Sequence, residues 1–227
     1  MNRNKFLALG GALAAVAALP VGQAIAAGGT KVTVRVEGKT KTLLAQKQVQ
    51  THSGWITKGG VPAGQCSAAS GQGALDVATH HSWNGTFSTS LGSYFIKTIL
   101  GETDNGPKIY WSIFVNNASA STGACGIKLH AGDQLLFAAT KYPEYPIAIK
   151  SPATAKVGQQ FNVTVVAYNA SGKSKPLAGA TVSVNGHSGK TDSRGIVPLT
   201  PSHAGTYTLQ AEKAGYIRAA SVRLTVS

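Results

Sequence analysis

Three valines set the first pattern. In residues 31–37, KVTVRVE, Val32, Val34 and Val36 alternate with Thr33, Arg35 and Glu37, the period of a strand with one buried face. Gly38-Lys39 turns the chain, and residues 41–50 read as the returning strand of a hairpin. A Gly-rich stretch from Gly54 to Gly73 follows, and then the period changes. Ser70 stands as an N-cap, Ala74, Leu75, Val77 and Ala78 make an apolar stripe, and Asn84-Gly85 supplies a stop, so a helix is expected within residues 70–83. Residues 93–99 and 108–116 are rich in aromatic and β-branched side chains and are separated by the turn Asp104-Asn105-Gly106-Pro107. An apolar strand in residues 127–138, after Gly132-Asp133, closes this part. The order is hairpin, helix, strands, an α+β arrangement with one sheet face on a helix.

Pro143, Pro146 and Pro152 mark a boundary and predict a short, semi-rigid linker, because proline interrupts helices and central strands. Beyond it Phe161, Val163, Val165 and Ala167 alternate inward, and Val184-Asn185-Gly186-His187 suits a tight hairpin turn. Roughly seven short strands without a helix match the spacing of a β-sandwich. The chain therefore reads as mainly β, with two small domains.

The N-terminus adds a compartment. Asn2 to Lys5 precede the apolar run FLALGGALAAVAALPVG, which ends in Ala24-Ile25-Ala26. This is a secretory leader, residues 1–26, with cleavage after Ala26. An uncleaved anchor is the rival, weakened by Pro20, Gly22 and Gln23; after cleavage no stable membrane span is expected. No cysteine near the cleavage point offers a lipid attachment site, and the Ala-rich leader looks bacterial. In an exported chain the two cysteines, Cys66 and Cys125, are expected to pair. The 21 basic and 8 acidic residues give +13, or +11 without Arg3 and Lys5. The basic residues are dispersed rather than clustered, so no arm for nucleic acid stands out. Dispersed positive charge serves solubility, or weak attraction to an anionic cell-envelope polymer.

The helical segment GALDVATHH, Tyr110-Trp111 and Val115-Asn116 in IYWSIFVNN, the Gly123-Ala124 loop and Gly132-Asp133 in AGDQLLF together resemble, over about residues 30–139, the β-grasp domain at the C-terminus of transcobalamin and intrinsic factor and in bacterial exported proteins. The Gly-rich stretch before Cys66 and Asn117, where that family often has Gly, depart from the pattern. The second part, with GATVSVNG, TDSRGIVPL and Tyr207-Thr208-Leu209 to Gly215-Tyr216, resembles bacterial immunoglobulin-like and carboxypeptidase-regulatory-like modules. The resemblances imply a β-grasp-like domain at 27–141 and an immunoglobulin-like β-sandwich at 142–227. The cobalamin carriers hold a corrinoid against a large helical domain that this chain lacks, so the resemblance implies ligand or surface binding without choosing the ligand.

The candidate chemistry is sparse. Asp76 and His80, four apart on the helix, predict a carboxylate–histidine pair, but no third catalytic group accompanies them, and no enzyme is expected. His80 and His81 point about 100° apart on a helix and make a poor chelating pair, so no metal site is expected. Asp192 reads as a turn residue, and the four Asn-x-Ser/Thr sequons as chance in a bacterial chain. The aromatic residues are the better candidates: Trp55, Trp83, Tyr110 and Trp111, with Asn116, are the expected ligand-binding residues. Trp111 and Phe114 lie on opposite strand faces, which predicts one in the core and the other facing outward. The expected function is a secreted or cell-surface protein that binds a small molecule, a corrinoid or a glycan, with the second domain as a spacer. No resident cofactor is expected. The alternative is a structural or adhesion protein of the envelope with no small ligand.

Overall fold

The computed structural model describes residues 29–104, 108–185 and 187–227. Residues 1–28, which include the expected leader, together with Asn105-Gly106-Pro107 and Gly186, lie outside the described residues. The first unit runs β1 (Lys31–Glu37), β2 (Thr42–Gln50), α1 (Gly71–Ala78), β3 (Trp83–Ser88), β4 (Ser93–Ile99), β5 (Glu102–Thr103), β6 (Tyr110–Val115), β7 (Ala118–Ser119) and β8 (Gln134–Thr140). The second runs β9 (Tyr145–Lys150), β10 (Thr154–Ala155), β11 (Phe161–Tyr168), β12 (Ser174–Pro176), β13 (Thr181–Val184), β14 (His187–Lys190), β15 (Ile196–Leu199), β16 (Gly205–Glu212), β17 (Tyr216–Ile217) and β18 (Val222–Val226).

In the first unit the hairpin β1–β2 is antiparallel, and β8 returns parallel to β1 at the centre of a sheet ordered β2-β1-β8-β6-β7. This is the β-grasp arrangement: a parallel central pair with a helix across one face. Val32, Val34 and Val36 meet Leu75 of α1 and Phe137 of β8 in the core. The strands β3, β4 and β5 form a separate small sheet. The helix is shorter than its pattern predicts. Ser70 caps it by accepting from Gly73 N–H, but it ends at Ala78 because His80 and His81 adopt left-handed backbone angles (φ 51° and 64°). Asn84-Gly85 therefore lies inside β3. Gly85 is required there, because a Cβ would fall 2.3 Å from the Phe95 carbonyl oxygen.

The second unit is an immunoglobulin-like β-sandwich of two sheets, β10-β18-β16-β13-β14 and β12-β11-β9-β17, with β15 on β11. Phe161, Val163, Val165 and Ala167 point inward as the alternation predicts, toward Val182, Leu209 and Leu224.

The expected linker is largely strand. Residues 145–150 form β9, which pairs with β11 and β17, so few residues separate the two units. Pro146 sits near the start of β9 opposite the two-residue strand β17. The units are packed against each other. Phe114 and Leu136 on the outer face of the first sheet share a small buried cluster with Ile217 of the second unit. Trp111 and Phe114 do occupy opposite faces, yet both are buried, at 8% and 2% exposure, because the second unit covers the face that the alternation assigns to solvent. The second unit, expected as a spacer, is docked on the first through this cluster.

Candidate functional site

Between β4 and β6 the first unit stays open. On the side that faces the gap, β4 is paired only near Thr98–Ile99, by β5, and β6 only near Phe114–Val115, by β7. The two strands belong to different sheets. A groove of about 880 Å³ occupies the gap, within the roughly 300–1,000 Å³ range of small-molecule sites.

Each wall has a local cause. Trp111 points into the core from β6, and its indole N–H donates to the Lys97 carbonyl at 3.2 Å, tying β6 to β4 at one end. At the other end the Cys66–Cys125 disulfide anchors the loop at 123–126, and Cys125 N–H donates to Ser93 Oγ at 3.1 Å. Between these ties Phe95 (57% exposed), Leu91 (60%) and Tyr110 (43%) present large apolar surface to the groove. Ser90, Ser121 and Thr122 add hydroxyls along its rim, and Lys97 faces Asp104 at 3.8 Å. Tyr94 supports the wall from behind: its hydroxyl donates to the Lys58 carbonyl at 2.8 Å, and its ring packs edge-on against Trp83 and Phe87. Burial, aided by the Asp76 charge, pushes the Tyr94 phenol above its ordinary pKa.

Of the residues expected to bind ligand, the groove brings together Tyr110 and Trp111. Trp83 is core: it is 3% exposed and its indole N–H donates to Asp76 Oδ1 at 2.7 Å. Trp55 is exposed on a loop held by its bridge to Ser67, away from the groove. Asn116 has a structural task. From a left-handed position (φ 51°) its amide donates to Asp133 Oδ1 at 2.8 Å and its oxygen accepts from Gln134 N–H at 2.9 Å. It borders a shallower cleft of about 440 Å³ beside His130 and Asp133. Burial pushes Asp133 up, but the His130 backbone N–H, the Asn116 amide and the His130 charge outweigh it and hold the carboxyl below its usual range.

The carboxylate–histidine pair forms with a different partner. Asp76 accepts from His81 Nδ1 at 2.7 Å, whereas His80 lies 3.0 Å from Lys47 Nζ. The early helix end explains the change, since the two histidines no longer follow helical spacing. Asp192 orders its turn by accepting from Arg194 and Ile196 N–H, which lowers its pKa. Among the described residues no group of three His, Cys, Asp or Glu side chains is placed to hold a metal ion. No helix among them is long and apolar enough to cross a membrane.

Sequence reasoning missed Phe95 and Leu91. The signal was present for Phe95: in SYFIKTI it shares the outward face with Lys97, and a large aromatic on the polar side of an alternating strand marks a surface with a use.

Residues 71–141 match the model of a family described as a domain of unknown function, DUF4430. The match covers less than half of the chain, but it spans the groove from α1 to β8. No curated protein matches the chain. Among solved structures, the CARDB domain of a Pyrococcus furiosus protein, in complex with di-metal ions, is 19% identical, with 36% of this chain and 86% of that chain covered and a TM-score of 0.24. A similarity at that level carries no argument about this chain.

Proposed function

We propose that this chain is an exported, non-catalytic binding protein and that the groove between β4 and β6 receives its ligand. The observation that carries the reading is the exposure of Phe95, Leu91 and Tyr110 together along a groove of about 880 Å³ whose rim carries hydroxyl groups and the Lys97–Asp104 pair. Exposed aromatic faces stack on apolar ring faces, while the hydroxyls match a polar periphery. A ring ligand with one apolar face fits that chemistry. The resemblance of residues 30–139 to the corrinoid-covering β-grasp domain makes a corrinoid the first choice and a glycan the second. The immunoglobulin-like unit fixes the orientation of the β-grasp sheet by packing on its outer face.

The test is equilibrium dialysis of the chain from Ala27 against cobalamin, cobinamide and a panel of oligosaccharides. Saturable binding that drops at least tenfold in both Tyr110→Ala and Phe95→Ala is expected, since each removes a stacking face from the wall. Absence of saturable binding to every probe, or binding indifferent to both substitutions, removes the groove from the account.

A further inference from the structure

A second opening lies at the junction of the two units, on the face of the first sheet opposite α1. There β1 presents the polar half of its alternation, Arg35 and Glu37, to the second unit. Arg35 is 6% exposed. Its Nη1 donates to Glu37 Oε1 and to the Arg218 carbonyl, each at 3.0 Å. Glu37 is also held by Arg218 (Nη2 to Oε2, 3.1 Å) and by the Thr42 hydroxyl at 3.0 Å, so its acceptor positions are largely used.

The remaining Arg35 donors, Nε and Nη2, have no hydrogen-bond partner among the described residues. Buried side-chain polar atoms without a partner occur there only on Gln72, so the two nitrogens open onto the space beside them. That space is a cleft of about 260 Å³ bordered by Arg35, Glu37, Gln46, Thr208, Ser221 and Arg223. Arg223 is exposed and forms no ion pair among the described residues. Three guanidinium groups, counting Arg218, thus stand against one carboxylate. On the far side of Arg218, Lys41 and Glu212 border a separate cleft, one charge of each sign. Two positive charges are left without a counter-ion. Burial disfavours the charged form of Arg35 and lowers its pKa, while Glu37 opposes the shift. A second anion beside Arg35 relieves the same penalty.

We infer that this cleft binds a small oxyanion, a phosphate, sulfate or carboxylate group, through the free nitrogens of Arg35 and the guanidinium of Arg223, with Ser221 and Gln46 as neutral donors. The planar guanidinium fork matches the paired oxygens of such groups. The site is independent of the groove, and its ligand is recognised by charge rather than by an apolar face. The oxyanion comes either from a free ion or from one unit of a phosphodiester or uronate polymer.

Isothermal titration of the chain from Ala27 with inorganic phosphate, sulfate and acetate, at ionic strength held constant with chloride, tests the site. One-to-one saturable binding is expected, weakened about tenfold in Arg223→Gln, the loss of one charge-assisted contact. Arg223 is exposed and unpaired, so this variant keeps its fold; Arg35→Gln, checked by circular dichroism, should abolish binding. Glycerol phosphate against poly(glycerol phosphate), and galacturonate against polygalacturonate, separate the sources: a polymer that binds more tightly per unit than its monomer assigns a polymer, and equal affinities assign the free ion. No saturable heat up to tens of millimolar, or an Arg223→Gln affinity within twofold of the parent, overturns the inference.

Discussion

Glu37→Ala attacks the charge cluster that joins the two units. Glu37 is 1% exposed and accepts from Arg35, Thr42 and Arg218. Truncation leaves two guanidinium groups without their carboxylate, and they differ in what they can do next. The Arg218 side chain is 24% exposed and can turn toward water, but that of Arg35 is 8% exposed and reaches solvent only through the small cleft beside it. The cost is therefore set by Arg35, and removing one partner of a buried pair costs about 3–5 kcal/mol. For roughly 200 residues each kcal/mol moves the melting temperature by about 2–4 °C, so a drop of roughly 6–20 °C is expected. The assay is urea and thermal unfolding at pH 7 in low salt, followed by circular dichroism. The double variant Arg35→Met/Glu37→Leu decides the cause, because replacing both charges with apolar groups should recover most of the loss. A Glu37→Ala loss below about 1 kcal/mol, or a double variant no better than the single one, would refute the account of the cluster as a buried, mutually dependent pair.

Other consequences are more local. Trp83→Phe strands Asp76 Oδ1, which the indole N–H satisfies at 2.7 Å, and should cost about 2 kcal/mol of stability, read by urea unfolding, as an unpaired buried acceptor does. The parent protein should show no free thiol until reduced, because Cys66 and Cys125 are bonded across a separation of 59 residues; reduction should cost about 4 kcal/mol in the chain-entropy account, read by unfolding with and without reductant. Asp133 has its pKa held below the usual carboxylate value, so its contribution is complete above about pH 4 and is lost as pH falls through the lower, folded value. Asn116→Ala removes one of the donors that lower it, so the acid limb of stability against pH should move to higher pH; an unchanged limb would exclude Asp133 as its source.

Much of the fold is legible where one residue type has one physical use. The valines of β1, the Ser70 cap, the inward residues of β11 and the cysteine pair all read directly, because local period, capping and oxidation state need no knowledge of distant partners. The misreadings share one origin in tertiary context. Alternation told that Phe114 and Trp111 face apart, but not that a second unit covers the far face. The proline-rich segment looked like a linker, yet Pro146 stands in β9 opposite a strand only two residues long, where a missing donor matters little. Trp83 reads as a binding candidate among the three tryptophans of the first unit, yet it is buried against Tyr94, with its indole N–H on Asp76, seven positions earlier.

The position of the groove follows from the same covering. The face of the β-grasp sheet toward α1 is occupied by the core of Val34, Leu75 and Phe137. The opposite face carries Phe114 and Leu136 against Ile217, and beside them the Arg35–Glu37–Arg218 cluster. With both faces covered, apolar surface for a ligand remains at the seam where β4 leaves β6 and the edges are only partly paired. The docked second unit does not line the groove: it covers the broad sheet face and leaves Phe95, Leu91 and Tyr110 exposed at the edge. If substitutions at Ile217 that loosen the junction exposed the outer face, new apolar surface would appear around Phe114, and a dye that reports exposed apolar area should bind the Ile217→Asp variant more strongly than the parent, with the groove unchanged.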